Sequence, residues 1–384
     1  MFRKIPLAWL QLTREKSRLL VALAGIAFAD ILMFMQLGFQ DALYSSSVRM
    51  HKSLHGDIFL ISPQSTALIA MKNFAQRRLY QAQAFEGVAS VSSLYLDFAL
   101  WKNPANRKTR GILVIGFNPK ESILDIKEVQ ENLSTIQMPD VVLFDKASRA
   151  QFGTIAEDFA QGKTIETEVG SKRIRVKGIF SLGASFGADG NIITSDTNFE
   201  RIFPRRDPGL IDVGIIKVKA GADVKNIVQQ MREKLPKDVT VLSKQEFIDF
   251  EMNYWKTGTA IGFIFSLGTA MGFVVGIVIV YQILYTDVAD HLPEYATLKA
   301  MGYTNGYLLS VVFQEALILA ILGYMPGIAF SFWLYNLTRN ATSLPMLMTI
   351  SRATTVMILT IIMCLGSGAI AVRKLQAADP ADIF

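Results

Sequence analysis

Pro293-Glu294-Tyr295-Ala296-Thr297-Leu298-Lys299-Ala300-Met301-Gly302-Tyr303 stands between two segments long and apolar enough to cross a bilayer. The stretch predicts a short amphipathic helix. Pro293 suits a first turn, Glu294 complements a helix N-terminus, Lys299 falls in the later turns, and Gly302 can end the helix. Such a helix projects from a membrane toward a soluble partner, and the rest of the chain is organised around it.

The 384 residues are 51% hydrophobic and only 19% charged, too apolar for a wholly soluble chain of this length. The composition is that of a membrane protein with soluble mass attached. The net charge of +6 is spread along the chain and flanks apolar segments, so it serves orientation in a membrane rather than nucleic-acid binding. Cys364 is the one cysteine and lies inside an apolar run, which excludes an intrachain disulfide.

Residues 1–18 carry Arg3, Lys4, Arg14, Lys16 and Arg18 ahead of an apolar run, which is read as a first transmembrane helix over 19–40. The run approaches full spanning length and is not followed by a small-residue cleavage site, so it is expected to be retained rather than removed as a signal peptide. Asp30 lies near its middle. An intramembrane carboxylate is a candidate functional acid, and its plainer reading is a hydrogen bond to a neighbouring helix.

From 41 to 256 the composition is that of a water-soluble α+β domain. Strands are expected over Gly56–Ser62, Val88–Leu100, Gly111–Phe117, Val213–Val218 and Val239–Leu242, and helices over Asn73–Glu86 and Ala222–Leu235. Two βαβ-like halves, 41–139 and 205–256, would form one lobe. The strand-rich segment 140–204, including Lys172–Ile179, would form a second, inserted lobe.

A second span is expected over 257–285, with Gly258 and Gly262 and then Gly268, Gly272 and Gly276 at four-residue intervals, a stripe that permits close helix packing. The loop 286–306 holds the short helix, and a third span over 307–334 contains Gly323, Pro326 and Gly327, which should kink or break it. A short loop, 335–353, precedes a fourth span over 354–372 and a basic tail over 373–384 that begins with Arg373 and Lys374. Basic residues cluster before the first span and after the fourth, whereas the loop 335–353 has only Arg339 and Arg352. Both termini and the short helix are therefore placed in the cytoplasm and the large domain outside it. Asp287, Asp290 and Glu294 against one lysine make the short helix's loop acidic, which suits a basic groove on a partner.

Three apparent chemical motifs fail on inspection. Gly183-Ala184-Ser185-Phe186-Gly187 has the spacing of a nucleophile elbow, but Asp189-Gly190-Asn191 follows as a turn where that motif needs a helix. The only histidine after Ser185 is His291, across the membrane in this topology. Gly162-Lys163-Thr164 imitates the end of a phosphate-binding loop, yet Glu157 holds the place of its first glycine and would repel phosphate. His51 and His55 have helical ligand spacing, but Lys52 stands where a zinc peptidase has its glutamate, and the plainer reading is a solvated pair. No catalytic, cofactor-binding or metal-binding residue is assigned, and an enzyme is disfavoured.

The order of one helix, a large outer domain, three more helices and a short helix bearing Glu294 and Thr297-Leu298-Lys299-Ala300-Met301-Gly302 resembles the MacB/FtsX-type ABC permeases. Gln314-Glu315-Ala316-Leu317, Arg373 and the Ala378-Asp379-Pro380-Ala381 tail also fit that family's pattern, and Leu20–Gln36 looks closest to its DevC branch. The resemblance implies a homodimeric permease in the inner membrane without a fused ATPase. ATP and Mg would be bound by a separate DevA/MacB-like ATPase subunit, docked on a coupling helix through Glu294, Leu298, Lys299 and Met301. The outer domain would be periplasmic and contact a DevB-like membrane fusion protein, with a TolC-like outer-membrane channel completing a tripartite efflux route. Motion, rather than cargo, would pass through the helices, and lipid, glycolipid or another hydrophobic cargo would be expelled from the outer side. The spans agree in being poor in ionisable lining beyond Asp30. Two other readings stand beside it: an FtsX-like regulator that activates a cell-wall hydrolase, and, for the short helix, an ordinary amphipathic segment lying on lipid headgroups.

Overall fold

The computed structural model describes residues 7–377. The tail motif 378–381 and the basic residues Arg3 and Lys4 lie outside the described residues. The chain forms two compact units: an outer unit of Ala42–Thr259 with Asn340–Pro345, and a membrane unit made of the rest.

The membrane unit contains helices Leu7–Arg14, Lys16–Ser47, Ala260–Asp290, Leu292–Ala300, Asn305–Thr342 and Ile350–Ala377. Among the described residues four stretches are long and apolar enough to cross a membrane: Lys16–Ser47, Ala260–Asp290, Leu309–Thr342 and Ile350–Val372. They pack through small and branched side chains, with Ala22, Ile26 and Ala29 of the first span meeting Val280 and Leu284, Ala316, Leu319 and Ala320, and Met363 and Cys364. Phe263, Ile264, Leu267 and Met271 of the second span stay exposed, an apolar face that lipid would cover. The break expected near Pro326 is absent, since Asn305–Thr342 runs through it as one helix. Pro326 removes one backbone donor, but leaving helical geometry in lipid would orphan many more groups, so the helix persists.

The outer unit is built on a nine-stranded mixed sheet. Its strands, with a small two-stranded pair, are β1 (Ile58–Ile61), β2 (Phe74–Ala75), β3 (Val88–Lys102), β4 (Thr109–Phe117), β5 (Val141–Asp145), β6 (Ile165–Val169), β7 (Lys172–Phe180), β8 (Asn191–Ser195), β9 (Leu210–Ile211), β10 (Val213–Val218) and β11 (Thr240–Ser243). The sheet order is β11-β1-β10-β3-β4-β8-β5-β7-β6, and β2 pairs with β9. β4–β8 and β5–β7 are parallel and the other ladders antiparallel. β3 also reaches β6 through Trp101↔Val169, so the far edge curls back toward the middle.

Buried side chains cover both faces. Ile58, Leu60, Trp101, Val114, Phe144, Phe152 and Phe199 lie in one cluster, and Phe59, Ile61, Leu94, Ile115, Phe180, Ile193 and Phe247 in the other. Both clusters draw on 41–139, 140–204 and 205–256 alike. The expected division into a lobe and an inserted lobe is therefore not a division of the sheet. Segment 140–204 supplies β5 to β8, and β8 joins β4 in register from Leu113↔Asn191 to Phe117↔Ser195. The expected helix Asn73–Glu86 is shortened to Arg77–Gln83 because Phe74 and Ala75 pair with Ile211 and Leu210. Helix Lys244–Asn253 begins at a Ser-x-x-Glu box, Ser243 and Glu246 capping each other's backbone donors.

Candidate functional site

The short helix forms over Leu292–Ala300 with Pro293 in its first turn, Glu294 at its N-terminal end and Lys299 at its C-terminal end. Gly302 adopts φ +92°, and its N–H donates to the Lys299 carbonyl at 3.0 Å while the Tyr303 N–H donates to the Leu298 carbonyl at 3.1 Å. That paired closure needs a left-handed residue at position 302, which glycine supplies without a Cβ penalty. Tyr295 and Ala296 are buried and hold the helix to the membrane unit, Leu298 is half-buried, and Glu294, Lys299 and Met301 face out. Met301 is 64% exposed, beside exposed Tyr303. A charged pair of opposite sign flanking an uncovered apolar side chain is a surface suited to a protein partner. Glu294 also meets Arg14 at 3.3 Å, an exposed pair that a partner's charge can displace. Burial first, then the carboxyls of Glu315 and Asp287, push the Tyr295 phenol well above its ordinary value.

Asp30 is fully buried in the helix bundle. Its Oδ1 accepts a hydrogen bond from the Thr360 hydroxyl of the fourth span at 2.6 Å, and a Cβ placed on Gly327 of the third span would lie 2.9 Å from its own Cβ. Three spans thus converge on this carboxyl. The glycine stripe of the second span also faces inward. Gly268 lies against Gln36, a Cβ on Gly272 would sit 3.2 Å from Met33 Cγ, and one on Gly276 would sit 2.9 Å from Ala29 Cβ and collide with the Met363 sulfur. The first span is therefore gripped by glycines of the second and third. Near one end of the bundle Arg352 pairs with Asp41, donates to the Leu347 carbonyl at 2.8 Å and lies over the Tyr335 ring.

Within the outer unit, the segment that enters it and the segment that leaves it are fastened together. His51, on helix Arg49–Ser53, is buried with its ring centroid 4.4 Å from Phe247 of helix Lys244–Asn253, and Phe247 stacks on Phe59 of β1 at 4.7 Å. Glu251 lies 3.7 Å from His51 Nε2, accepts the Leu68 N–H at 2.7 Å, and accepts the Trp255 indole N–H at 2.8 Å. Trp255 sits in a π-helical turn, Tyr254–Gly258, immediately before the second span. Burial pushes His51 down to about 3, so its imidazole is neutral at physiological pH. Burial raises Glu251, opposed by the Leu68 and Trp255 hydrogen bonds. The solvated histidine pair expected at positions 51 and 55 does not exist: His51 is core, while His55 lies beyond the helix, exposed, with Nδ1 3.3 Å from Lys217 Nζ.

The other apparent motifs resolve into turns. Ser185 Oγ accepts N–H groups of Gly187 and Ala188 at 3.2 and 3.0 Å, and strand β8 follows rather than a helix. Gly162 has φ +73° after helix Ile155–Ala160, and Lys163 pairs with Asp158 at 2.5 Å before β6 begins. The fastening at His51 and Glu251 escaped the sequence, from which no helix over 244–253 is expected.

Residues 263–380 match the family model for the FtsX-like permease C-terminal region. No curated protein matches the chain significantly. Among solved structures, the periplasmic region of MacB from Actinobacillus actinomycetemcomitans is similar at 11% identity and TM-score 0.33, over 50% of this chain and 92% of that one. The extracellular domain of the noncanonic ABC-type transporter YknZ from Gram-positive bacteria is similar at 12% identity and TM-score 0.32, over 49% and 100%. A domain of a putative permease protein from Porphyromonas gingivalis is similar at 9% and 0.31, over 50% and 90%. The FtsX-like match spans the last three of the four candidate membrane-crossing helices found among the described residues, and most of the α+β unit lies in the chain between the first and the second.

Proposed function

We propose that the chain is the DevC-like permease subunit of a tripartite ABC efflux system in which ATP is hydrolysed on a separate subunit. A separate ATPase docks on Leu292–Ala300 through Glu294, Leu298, Lys299 and Met301 at the cytoplasmic side, and two copies of the permease assemble around a pair of ATPases. The outer unit, periplasmic in this reading, works on a membrane fusion protein and a TolC-like channel. The cargo class is a lipid, glycolipid or other hydrophobic molecule.

The observation that carries this reading is the outward face of the short helix. A nine-residue helix begun by Pro293, closed at its C-terminus by Gly302 and anchored by Tyr295 presents Glu294, Lys299 and Met301 to solvent, which is how a rigid handle would be built. The His51–Phe247–Glu251–Trp255 cluster supports transmission, because a displacement delivered through either chain crossing is shared by both and passes to β1 through Phe59. Replacing Glu294 by Lys together with Lys299 by Glu should abolish copurification of the ATPase while leaving membrane insertion intact. Unchanged association rejects this docking site. Recovery of a cell-wall hydrolase in place of a fusion protein favours the FtsX-like alternative.

A further inference from the structure

Behind the short helix, polar side chains from four elements are buried together. They are Gln11 of Leu7–Arg14, Asp287 near the end of the second span with His291 just beyond it, Tyr295 of the short helix, and Glu315 of the third span. Glu315 is 0% exposed, and among the described residues neither of its oxygens has a hydrogen-bond donor. Asp287 Oδ2, the Tyr295 hydroxyl and both polar atoms of Gln11 are equally without a partner of normal geometry. These groups face one another: the Glu315 and Asp287 carboxyls lie within reach of each other, and the Tyr295 hydroxyl faces Gln11 and both carboxyls.

The surrounding charges are already committed. His291 Nδ1 lies 2.9 Å from the Asp287 carbonyl, so it carries the hydrogen, and it is 3.6 Å from Asp287 Oδ1. Arg18 is held by Asp290 at 2.5 Å and Glu15 at 3.0 Å at the half-exposed rim, and Glu294 turns outward to Arg14. Asp287 therefore feels His291 and Arg18, with Glu15 opposing, whereas among the described residues the charged neighbour acting on Glu315 is Asp287. Two ionised carboxylates are acceptors only. They cannot bond each other, and buried side by side they repel.

We propose that Glu315 and Asp287 hold one proton between them, Glu315 donating it to ionised Asp287, and that this proton fastens the helix Leu292–Ala300 to the third span. The Tyr295 hydroxyl then donates to the second Glu315 oxygen, and the Gln11 amide donates to the Tyr295 oxygen. Both Glu315 oxygens, Asp287 Oδ2, the Tyr295 hydroxyl and Gln11 Nε2 gain a partner by this arrangement, Gln11 Oε1 alone staying without one. Release of the proton to water at the Arg18 rim leaves two adjacent anions, withdraws the bond between the elements and loosens the helix. The ligand of this site is a proton, and the site sets how stiffly the short helix is seated whether or not an ATPase docks on it.

The test uses the full chain alone in lipid nanodiscs. Backbone amide protection across Tyr295–Met301, corrected for intrinsic exchange, is followed over a pH series by hydrogen–deuterium exchange. The wild type should lose protection at least tenfold across a single transition, and Glu315→Gln, neutral and still a donor, should hold its protection within twofold throughout. Asp287→Asn is a second variant with the same expectation should the first fail to fold. Infrared difference spectra should show a protonated carboxyl at the pH where the wild-type helix is protected, and Glu315→Gln should remove it. A flat wild-type profile, parallel profiles in wild type and variants, or no carboxyl band lost to Glu315→Gln overturns the proposal.

Discussion

Acidification should loosen the outer unit through His51, and substitution of that one residue should remove the effect. His51 titrates near 6.5 in an unfolded chain, and burial pushes it down to about 3 in the fold. Between those values the unfolded chain binds the extra proton, so stability falls as pH falls from 6.5 toward 3 and is unaffected by this residue above 6.5. At pH 5 the loss amounts to about 2 kcal/mol, a large share of a typical stability. Glu251, whose folded value is raised by burial, works in the opposite sense, and it is present in both chains being compared. His51→Leu keeps an apolar body against Phe247 and has no proton to take up. Urea unfolding of the full chain in detergent, followed by tryptophan fluorescence at pH 7.5 and pH 5, gives the two differences. The wild type should lose about 2 kcal/mol more than His51→Leu between those conditions. Parallel losses in the two chains would show that His51 does not stay neutral, and with it the packing of the two crossing segments would be wrong.

In the same cluster, Phe247→Ala empties a fully buried site against His51 and Phe59 and should cost about 3–5 kcal/mol in the same urea assay. Gly276→Val drives side-chain atoms into Met363 and Ala29 and should lower the thermal midpoint of the detergent-solubilised protein by an amount corresponding to about 1–3 kcal/mol. Gly366→Ala, where an added Cβ meets nothing, should leave the midpoint unchanged or raise it slightly. Thr360→Val removes the donor to buried Asp30 and should cost about 1–3 kcal/mol, most of which Asp30→Leu in the same chain should restore.

Local patterns carried the reading of the membrane unit, because each span announces itself by length and hydropathy alone. The ends of Leu292–Ala300 were legible for the same reason, Pro293 and Gly302 being backbone requirements written into single residues. Strands β3, β4, β7 and β10 were legible from their apolar runs, but their neighbours were not. β8 meets β4 across 78 residues at Leu113↔Asn191, and nothing in either segment says so, which is why 140–204 read as a separate lobe. His51 looked like a solvated residue because its burial is imposed by Phe247, far along the chain, and Asp30 gave no hint of Thr360 for the same reason. Glu315 was noticed only as part of a family pattern, since the groups that enclose it come from three other elements.

The strand order of the outer sheet also governs how the molecule is made. β1, near the start of the outer unit, is flanked by β10 and β11, near its end, in registers such as Ile58↔Ile216 and Ile58↔Ser243. Until synthesis has passed Val218 the first strand has neither neighbour, and until it has passed Ser243 it lacks the second. The second span begins at Ala260, seventeen positions after Ser243 (260 − 243). Completion of the sheet and insertion of the second span are therefore nearly simultaneous events in biogenesis, and a chaperone that shields β1 on the far side of the membrane would act in the interval before them.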